Sequence, residues 1–286
     1  MPTPFFNRFK HFGELSDLEE AISRQKDADD LTPHAQLEKP VHLNSLGNSF
    51  RARFERLEEP SDIEEAILRH GGAVDLTPDD HPDKLRRLNN LATSSFFTRF
   101  ERLEELSDLE EAISRYRHAV DLNPDDHPDK PTCLNNLGIS FEVRFHRLRE
   151  LSDLEEAISR LRDAVDLAPH GHPDKPAYLN NLGNSLSTRF DHFGELNDLE
   201  EAISRHRDAV DLTPHVHPNK PAYLKNLGTS FTLFERFGGS TNLEQAISLY
   251  SHAASTSIGP VTVRFSASQD WISCARRLHH DSLLQA

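Results

Sequence analysis

The chain has 286 residues, 36% of them hydrophobic, and its 47 acidic and 32 basic residues give a net charge of −15. The absence of any run of about 18 apolar residues argues against a membrane span. The excess of acid argues against nucleic acid or anionic lipid as a partner, because both need clustered Lys and Arg. No secretory signal is visible at the N-terminus. Cys133 and Cys274 lie in unrelated contexts, which predicts free thiols in a reducing compartment, hence a cytoplasmic or nuclear location.

A pattern of roughly 45 residues is repeated along the chain and decides the predicted architecture. A period in this range is typical of arrays of supersecondary units. We number the copies one to six. The second half of each copy begins at Ser16, Ser61, Ser107, Ser152, Asn197 and Thr241. The steps between these positions are 45, 46, 45, 45 and 44 residues.

Copies one and two are the least regular. Residues 1–15 match only the back half of the first helix of later copies, and Asp29 stands where copy five has Val210. We therefore expect the N-terminal half-copy to fray. Copy two carries Gly71-Gly72 inside its second helix, a predicted weak point. Copies three to five are regular and are expected to be the most stable part.

The second helix of each copy has the clearest sequence signals. In copy three, Ser107 is followed three residues later by Glu110, a pairing that predicts a capping box and recurs in every copy. A proline, Pro124 in copy three, ends the pattern. The apolar residues between them fall on one helical face, at Leu109, Ala112, Ile113, Tyr116, Ala119 and Val120.

The first helix of each copy is also predicted to have one apolar face. In copy five its apolar stripe runs from Leu179 to Phe193, with Gly183 inside it. Glycine costs about 1 kcal/mol of helix propensity relative to alanine, so a recurring small residue predicts close approach of a neighbouring helix. The small residues at this position are Gly47, Ala92, Gly138, Gly183 and Gly228. Because neither amphipathic helix can bury its stripe alone, the pattern predicts an all-α solenoid of stacked, antiparallel helix pairs.

The loops between copies are rich in histidine, which raises the hypothesis of a metal site. His170 and His172, like His215 and His217, form H-x-H pairs. Structural zinc, however, usually needs four convergent ligands, and successive loops are one whole copy apart. We favour a structural interpretation, in which His-Pro-Asp ends one helix and starts the next, and predict no metal and no cofactor.

The C-terminal part departs from the pattern. We assign residues 1–258 to the repeat array, about five full units plus a partial N-terminal unit, and residues 259–286 to a capping helix or a truncated unit. Its side chains available for packing are Val263, Phe265, Trp271, Ile272 and Leu278. Cys274 lies near His279 and His280, but on one predicted helix with no oxyanion loop and no orienting acid. We therefore predict that the chain is not an enzyme and has no catalytic residues.

These residues resemble a known family. Leu182-Gly183, Ala202, His206, Ala209 and Pro214 resemble the tetratricopeptide repeat (TPR) pattern, although Gly183 and Ala202 are seven residues further apart than in the 34-residue repeat. Seven residues are close to two helical turns, so the stripe keeps its phase. His127-Pro128-Asp129 followed by the L-N-N-L-G run is similar to kinesin-light-chain-type TPRs with long units. The resemblance covers roughly residues 5–255 and implies a right-handed superhelix of helix pairs.

In TPR arrays, the polar side of the first helix lines a concave groove. The resemblance therefore implies a peptide-binding site on that side, at Asn90, Asn136, Asn181 and Asn226, with Asn48, Asn184 and Thr188 beside them. Asparagine offers a donor and an acceptor to the backbone of an extended peptide. The alternative is that these asparagines bond within the array and fix neighbouring copies.

Four arginines flank the same face, at Arg53, Arg99, Arg144 and Arg189. They are secondary candidates for binding acidic peptides, but pairing with acids of the next copy is the interpretation we favour.

Two functional hypotheses follow. The first, which we favour, is a non-enzymatic scaffold that binds a peptide or helix of a protein partner. The alternative is a regulatory or sensor arm of a larger signalling protein, because TPR arrays of this style are often followed by a caspase-like (CHAT) domain. The sequence identifies neither the partner nor the oligomeric state.

Overall fold

The computed structural model describes residues 4–33, 36–122, 124–237 and 243–284. In these ranges the chain consists of helices and connecting turns, with no strand, which confirms the predicted all-α fold. The chain divides into two compact units, residues 1–144 and 145–286. We call the first helix of each copy its A helix and the second its B helix.

The first unit contains copies one to three and the start of copy four. Its helices alternate between A and B, and the A helix of copy three is divided into two parts. They are α1 Pro4–Phe12, α2 Leu15–Leu31, α3 Lys39–Leu57, α4 Pro60–Asp75, α5 Lys84–Leu91, α6 Thr98–Leu103 and α7 Leu106–Leu122. The A helix of copy four, α8 Lys130–Leu148, crosses the division between the units.

The second unit contains the B helix of copy four, copies five and six, and one further helix. The helices are α9 Leu151–Leu167, α10 Lys175–Phe193, α11 Leu196–Leu212, α12 Lys220–Arg236, α13 Leu243–Ser255 and α14 Val261–Leu284. In both units the core consists of the apolar stripes that the sequence predicts, for example Leu182, Leu186 and Leu199, which are fully buried.

A π-helical turn at Ala92–Phe97 separates α5 from α6. Copy three has one residue more than copy two in this region, since residues 88–100 correspond to residues 43–54. A π turn accommodates a single inserted residue inside a helix. Its consequence is that the stripe returns to phase, so that Phe100 is buried like its counterpart Phe54.

The predicted capping boxes are wrong. The B helices begin before the serine, and the residue that flanks each of them makes no side-chain capping bond, as seen at Glu14, Glu59, Glu150 and Glu195. The serine lies inside the first turn, so its hydroxyl is not placed to cap that turn. The residue after the serine, an aspartate such as Asp62, is instead buried. The sixth predicted cap, Thr241, lies outside the described residues.

The recurring glycines allow the close approach that the sequence predicts. A Cβ atom on Gly183 would lie 2.5 Å from the His206 ring, and one on Gly47 would lie 2.6 Å from the His70 ring. In both cases the approaching side chain comes from the B helix of the same copy. The small residue of the A helix is therefore the socket for a large residue of its own B helix.

Asp29 is buried although it carries a charge. Its carboxylate lies 2.8 Å from Lys39 Nζ and 3.3 Å from Arg69 Nη1. A buried charge is tolerated when it is paired, which explains how copy one accommodates an acid at a core position.

The last helix, α14, packs on α13 in the second unit with Ala267 and Cys274 buried. The predicted packing through Phe265 and Ile272 is wrong, because these side chains are 62% and 49% exposed. That this segment acts as a cap remains a prediction.

Candidate functional site: the polar face of the A helices

The histidines of the inter-copy loops have a structural role. The Nδ1 atom of His81 accepts a hydrogen bond of 3.0 Å from the backbone N–H of Asp83, two residues later, and His172 and His217 bond in the same way at 3.2 Å. Each histidine thereby holds the turn that leads into the next A helix. Among the residues that the structure describes, no group of three or more His, Cys, Asp or Glu side chains could hold a metal ion.

The lysine that follows each loop caps the preceding B helix. Lys84 Nζ donates to the carbonyl oxygens of Val74 and Thr77 at 3.0 and 2.7 Å, and Lys220 bonds at 2.6 and 2.8 Å to the equivalent carbonyls in copy five. An ammonium group at a helix C-terminus satisfies free carbonyls and the negative end of the dipole. Burial lowers the pKa of Lys220.

The four arginines are structural clamps rather than free cations. Arg189 donates two hydrogen bonds to Asp198, at 2.9 and 2.6 Å, and a third to Glu155 at 3.0 Å. The bonds to the carboxylate of Asp198 raise the pKa of Arg189. Arg53 contacts Asp62 and Glu19 in the same geometry.

These pairs correct the sequence interpretation. The acids belong to the same and the preceding copy, not to the next one. Arg99 bonds Asp108 and Glu64, and Arg144 bonds Glu110. A sequence signal was present, since each arginine precedes the buried aspartate by nine residues in every copy from Arg8 to Arg189. The spacing alone does not predict the pair, because it does not show which helix the aspartate faces.

Three of the predicted asparagines bond to the preceding copy. Asn90 Nδ2 donates to Asn44 Oδ1 at 3.0 Å, and Asn136 Nδ2 donates to Asn89 Oδ1 at 3.0 Å. In the second unit, Asn226 Nδ2 donates to the Oδ1 atom of Asn180 at 2.9 Å. In these three copies, the asparagine at the second position of the L-N-N-L run (L-K-N-L in copy six) thus holds the first asparagine of the copy before it. This amide ladder, which the sequence left open as an alternative, stabilises the stacking.

A second polar network surrounds His206. Its Nε2 atom lies 3.1 Å from Asn184 Oδ1 and its Nδ1 atom 2.9 Å from Ser230 Oγ. Because Asn184 Oδ1 can only accept, Nε2 donates in the bond to Asn184. Burial lowers the pKa of His206 to about 4, so the neutral ring is the native form.

The remaining candidates differ in how they are held. Asn48 and Asn184 occupy equivalent positions and are half-buried. Asn184 uses its Oδ1 atom, whereas its Nδ2 atom has no partner in the described ranges; Asn48 has no side-chain partner there. Asn181 and Thr188 are half-buried and both make interactions. We call the half-buried polar residues of the A helices the amide face.

A cleft of about 220 Å³ opens beside the amide face in the first unit. Gln25 of α2, Asn48 of α3 and Asn90 of α5 meet in it. The sequence predicts both asparagines as site residues but not Gln25. The sequence does distinguish Gln25, because it is an amide at a B-helix position where the other copies have ring or leucine side chains. These are His70, Tyr116, Leu161, His206 and Tyr250.

The two thiols do not have the environment of a nucleophile. Burial raises the pKa of Cys133 strongly, and burial also raises the pKa of Cys274, whose sulfur lies 3.7 Å from Thr232 Oγ1. Reactive cysteines have lowered pKa values. The side chains of His279 and His280 lie outside the described residues. None of the described helices has the length and apolar character needed to cross a membrane.

Two parts of the chain match a known family profile. A family profile described as tetratricopeptide repeat matches residues 85–129 and 177–219. A search of curated protein sequences found no match.

Solved structures of the same fold share little sequence with the chain. The assembly chaperone of RpL4 (Acl4, residues 1–338) aligns with a TM-score of 0.59 and 16% identity, covering 99% of both chains. BtubC (BKLC) from P. vanneervenii also gives 0.59 and 16%, over 85% of this chain and 94% of that one. The nearly identical, kinesin-light-chain TPR-like repeats of Podosopora anserina give 0.52 and 15%, over 76% and 95%. Residues 85–129 and 177–219 are therefore similar to the tetratricopeptide repeat, and the chain has the same all-α repeat fold as these solved structures.

Proposed function

We propose that this protein is a protein-interaction scaffold that binds an extended peptide segment along the amide face. The TPR fold supports a role in protein–protein interaction in general. The observation that carries the finer proposal is the hydrogen-bonding capacity that the array leaves unused within the described ranges, namely the amide of Asn48 and the Nδ2 atom of Asn184.

Their role follows from how amides recognise a peptide. An asparagine side chain can donate to a backbone carbonyl and accept from a backbone N–H, whatever the side chains of the peptide. The ladder residues Asn90, Asn136 and Asn226 hold the A helices in register, and we assign Asn181 and Thr188 to the same face. The arginine clamps keep the helix pairs in place and are not assigned to the ligand.

The test begins with peptides selected from a random library on the wild-type protein. Asn48→Ile and Asn184→Ile place on these positions the residue that copy four has, Ile139. Asn184→Ile also removes the acceptor of the His206 Nε2 proton, so Asn48→Ile is the cleaner variant. One lost hydrogen bond is worth about 0.5–1.5 kcal/mol, so each variant should bind its peptides about three- to tenfold more weakly. Fluorescence anisotropy measures the dissociation constants.

Leu68→Asn is the matched control, since Leu68 is 62% exposed on a B helix and away from this face. It should leave the affinity unchanged. Unchanged dissociation constants in both isoleucine variants, with helix content intact by circular dichroism, would overturn the proposal.

A further inference from the structure

The turn between the two helices of each copy carries a pair of apolar residues. One residue ends the A helix, and across the six copies it is Phe12, Leu57, Leu103, Leu148, Phe193 and Phe237. The other begins the B helix, and in copies one to five it is Leu15, Pro60, Leu106, Leu151 and Leu196. In the second unit these side chains reach the surface. Leu148 and Leu151 are each 39% exposed, and Phe193 and Leu196 are 49% and 43% exposed.

The core of the array does not require these side chains. Phe190, one turn earlier in the same A helix, is 1% exposed and fills the core, whereas Phe193 is half exposed. At the first position of the B helix, copy two has Pro60 and copy six has Ser240, so the repeat does not need a large apolar residue there. Scattered exposed apolar side chains are common, but a pair that recurs at the same place in neighbouring copies forms a patch, which marks an interaction surface.

The turns of copies four and five lie side by side. The ring of Phe145, in copy four, lies 6.1 Å from the ring of His192, in copy five, and the Phe193 ring lies 4.9 Å from that of His192. The apolar pairs of the two copies therefore belong to one surface. We call this surface the turn edge and define it by Leu148, Leu151, Phe193 and Leu196.

The turn edge has a basic side and an acidic side. The residue before the end of the A helix is a base in every copy, namely His11, Arg56, Arg102, Arg147, His192 and Arg236. The residue before the B helix is a glutamate in copies one to five, namely Glu14, Glu59, Glu105, Glu150 and Glu195. In copies four and five these bases and acids are exposed. The A-helix side of each turn thus carries a base and the B-helix side carries an acid.

We propose that the turn edge is an interface between two copies of this chain. A twofold axis that runs along the turn edge, in the direction in which the copies stack, places the A-helix side of one protomer against the B-helix side of its partner. Each base then faces an acid, and the apolar pairs pack between them. A twofold axis across the stack would instead place bases against bases and acids against acids.

The periodicity of the charges favours a second copy over an unrelated protein. Only an array with the same repeat presents a base, an apolar pair and an acid at the same spacing, so that the charges match in both copies at once. Specific, stable interfaces bury about 800 Å² on each partner, and the turn edge offers four partly exposed apolar side chains. We therefore expect a weak dimer whose population rises with protein concentration.

Sedimentation of the full chain over a wide range of concentrations measures the dissociation constant of the dimer. The variant Leu151→Ser/Leu196→Ser carries at both positions the residue of copy six, Ser240, and should weaken the dimer at least tenfold because it removes apolar area from the interface. The matched control is Leu68→Ser/Val216→Ser, which removes two side chains that are 62% and 80% exposed outside the turn edge. Its dissociation constant should be that of the wild type. Thermal unfolding followed by circular dichroism checks that both variants fold.

Charge reversal tests the orientation of the dimer and leaves the apolar residues in place. Arg147→Glu/His192→Glu makes both sides of the turn edge acidic, and Glu150→Arg/Glu195→Arg makes both sides basic. Each variant alone should dissociate at least tenfold more readily than the wild type, whereas an equimolar mixture of the two should form a heterodimer at least as tight as the wild-type dimer. The chain with all four substitutions exchanges its basic and acidic sides and should again dimerise with itself.

A wild type that stays monomeric at every concentration would overturn this inference and leave the turn edge to a different protein. A dimer that the serine and charge variants all retain would also overturn it, as would charge variants that associate no better when mixed than alone. The inference goes beyond the proposed function and does not depend on it, since no residue of the amide face lies in these turns. Asn48→Ile should therefore leave the dissociation constant of the dimer unchanged.

Discussion

Gln25 in the first unit and His206 in the second occupy the same position of the repeat and have opposite environments. His206 packs on Gly183 and bonds through both ring nitrogens, whereas Gln25 lines a cleft and has no partner in the described ranges. The same contrast holds for the arginine clamps. Arg189 binds Asp198 through two bonds, but Arg8 reaches Asp17 only at 3.3 Å and is 60% exposed. At this position copy five uses both polar atoms of the side chain internally, whereas copy one leaves both without a partner in the described ranges.

The largest difference between copies one and five is expected when the arginine of the clamp is replaced in each of them. Arg189→Ala leaves the buried Asp198 without its main partner and should lower the free energy of unfolding by about 3 kcal/mol. Arg8→Ala should cost less than about 1 kcal/mol, because the pair is largely exposed on the arginine side. Urea unfolding followed by circular dichroism gives both values. Equal losses in the free energy of unfolding would show that the arginine–aspartate pair stabilises both copies to the same extent, against this expectation.

The glycine socket tests the packing on which His206 depends. Gly183→Ala places a Cβ 2.5 Å from the His206 ring, and the overpacking should cost about 2 kcal/mol despite the better helix propensity of alanine. Gly71→Ala is the matched control, since a Cβ there meets nothing within 4 Å. It should raise the free energy of unfolding by about 0.5–1 kcal/mol. A stabilising effect at both sites would contradict the socket.

Lowering the pH should reduce the free energy of unfolding through His206 but not through Gln25. The pKa of His206 is about 4 in the folded chain and 6.5 in the unfolded one, so the stabilisation is complete above pH 6.5 and is lost as the pH falls toward 4. Between pH 7 and pH 5 the loss is about 2 kcal/mol. His206→Tyr, the residue of copy six, should reduce the pH dependence of the free energy of unfolding by that amount. Gln25→Leu should leave it unchanged.

Substitutions in the turns between A and B helices are expected to change the free energy of unfolding least. Copies one and five have Gly13 and Gly194 in the left-handed region, whereas copy two has Glu58 there with a φ of 58°. Glu58→Gly should stabilise the protein by about 1 kcal/mol in urea unfolding, since glycine adopts this region without steric cost. Glu58→Ala loses the same exposed contact with Arg102 but keeps the strain, so no gain is expected.

The hydrophobic period predicted most of the fold. The stripes, the small residue of each A helix and the closing prolines have their predicted roles, because burial of a helical face depends on spacing that is visible in the sequence. The start of the B helices was predicted wrongly. Ser and Glu at the right spacing suggested a capping box, and the residue that matters, Asp198 in copy five, binds Arg189 from another helix.

The candidate site could be predicted only in part. The asparagines on the A helices were found from their repetition, but the partner of each, such as Asn44 for Asn90, lies 46 residues away along the chain. Which copy an arginine contacts was likewise missed, because a spacing does not state which neighbour a side chain faces. The sequence shows Gln25 only as an amide at a position where other copies have His, Tyr or Leu, and the lack of a partner within the described ranges is visible only in the structure.

The sequence by itself determined the helices, their pairing into copies and the all-α repeat fold, because a helix fixes which residues share a face. Only the tertiary structure decided which polar side chains bond between copies and which have no partner within the described ranges. Hydrogen bonding depends on distances of about 3 Å between groups that are a whole copy apart, and periodicity does not encode those distances.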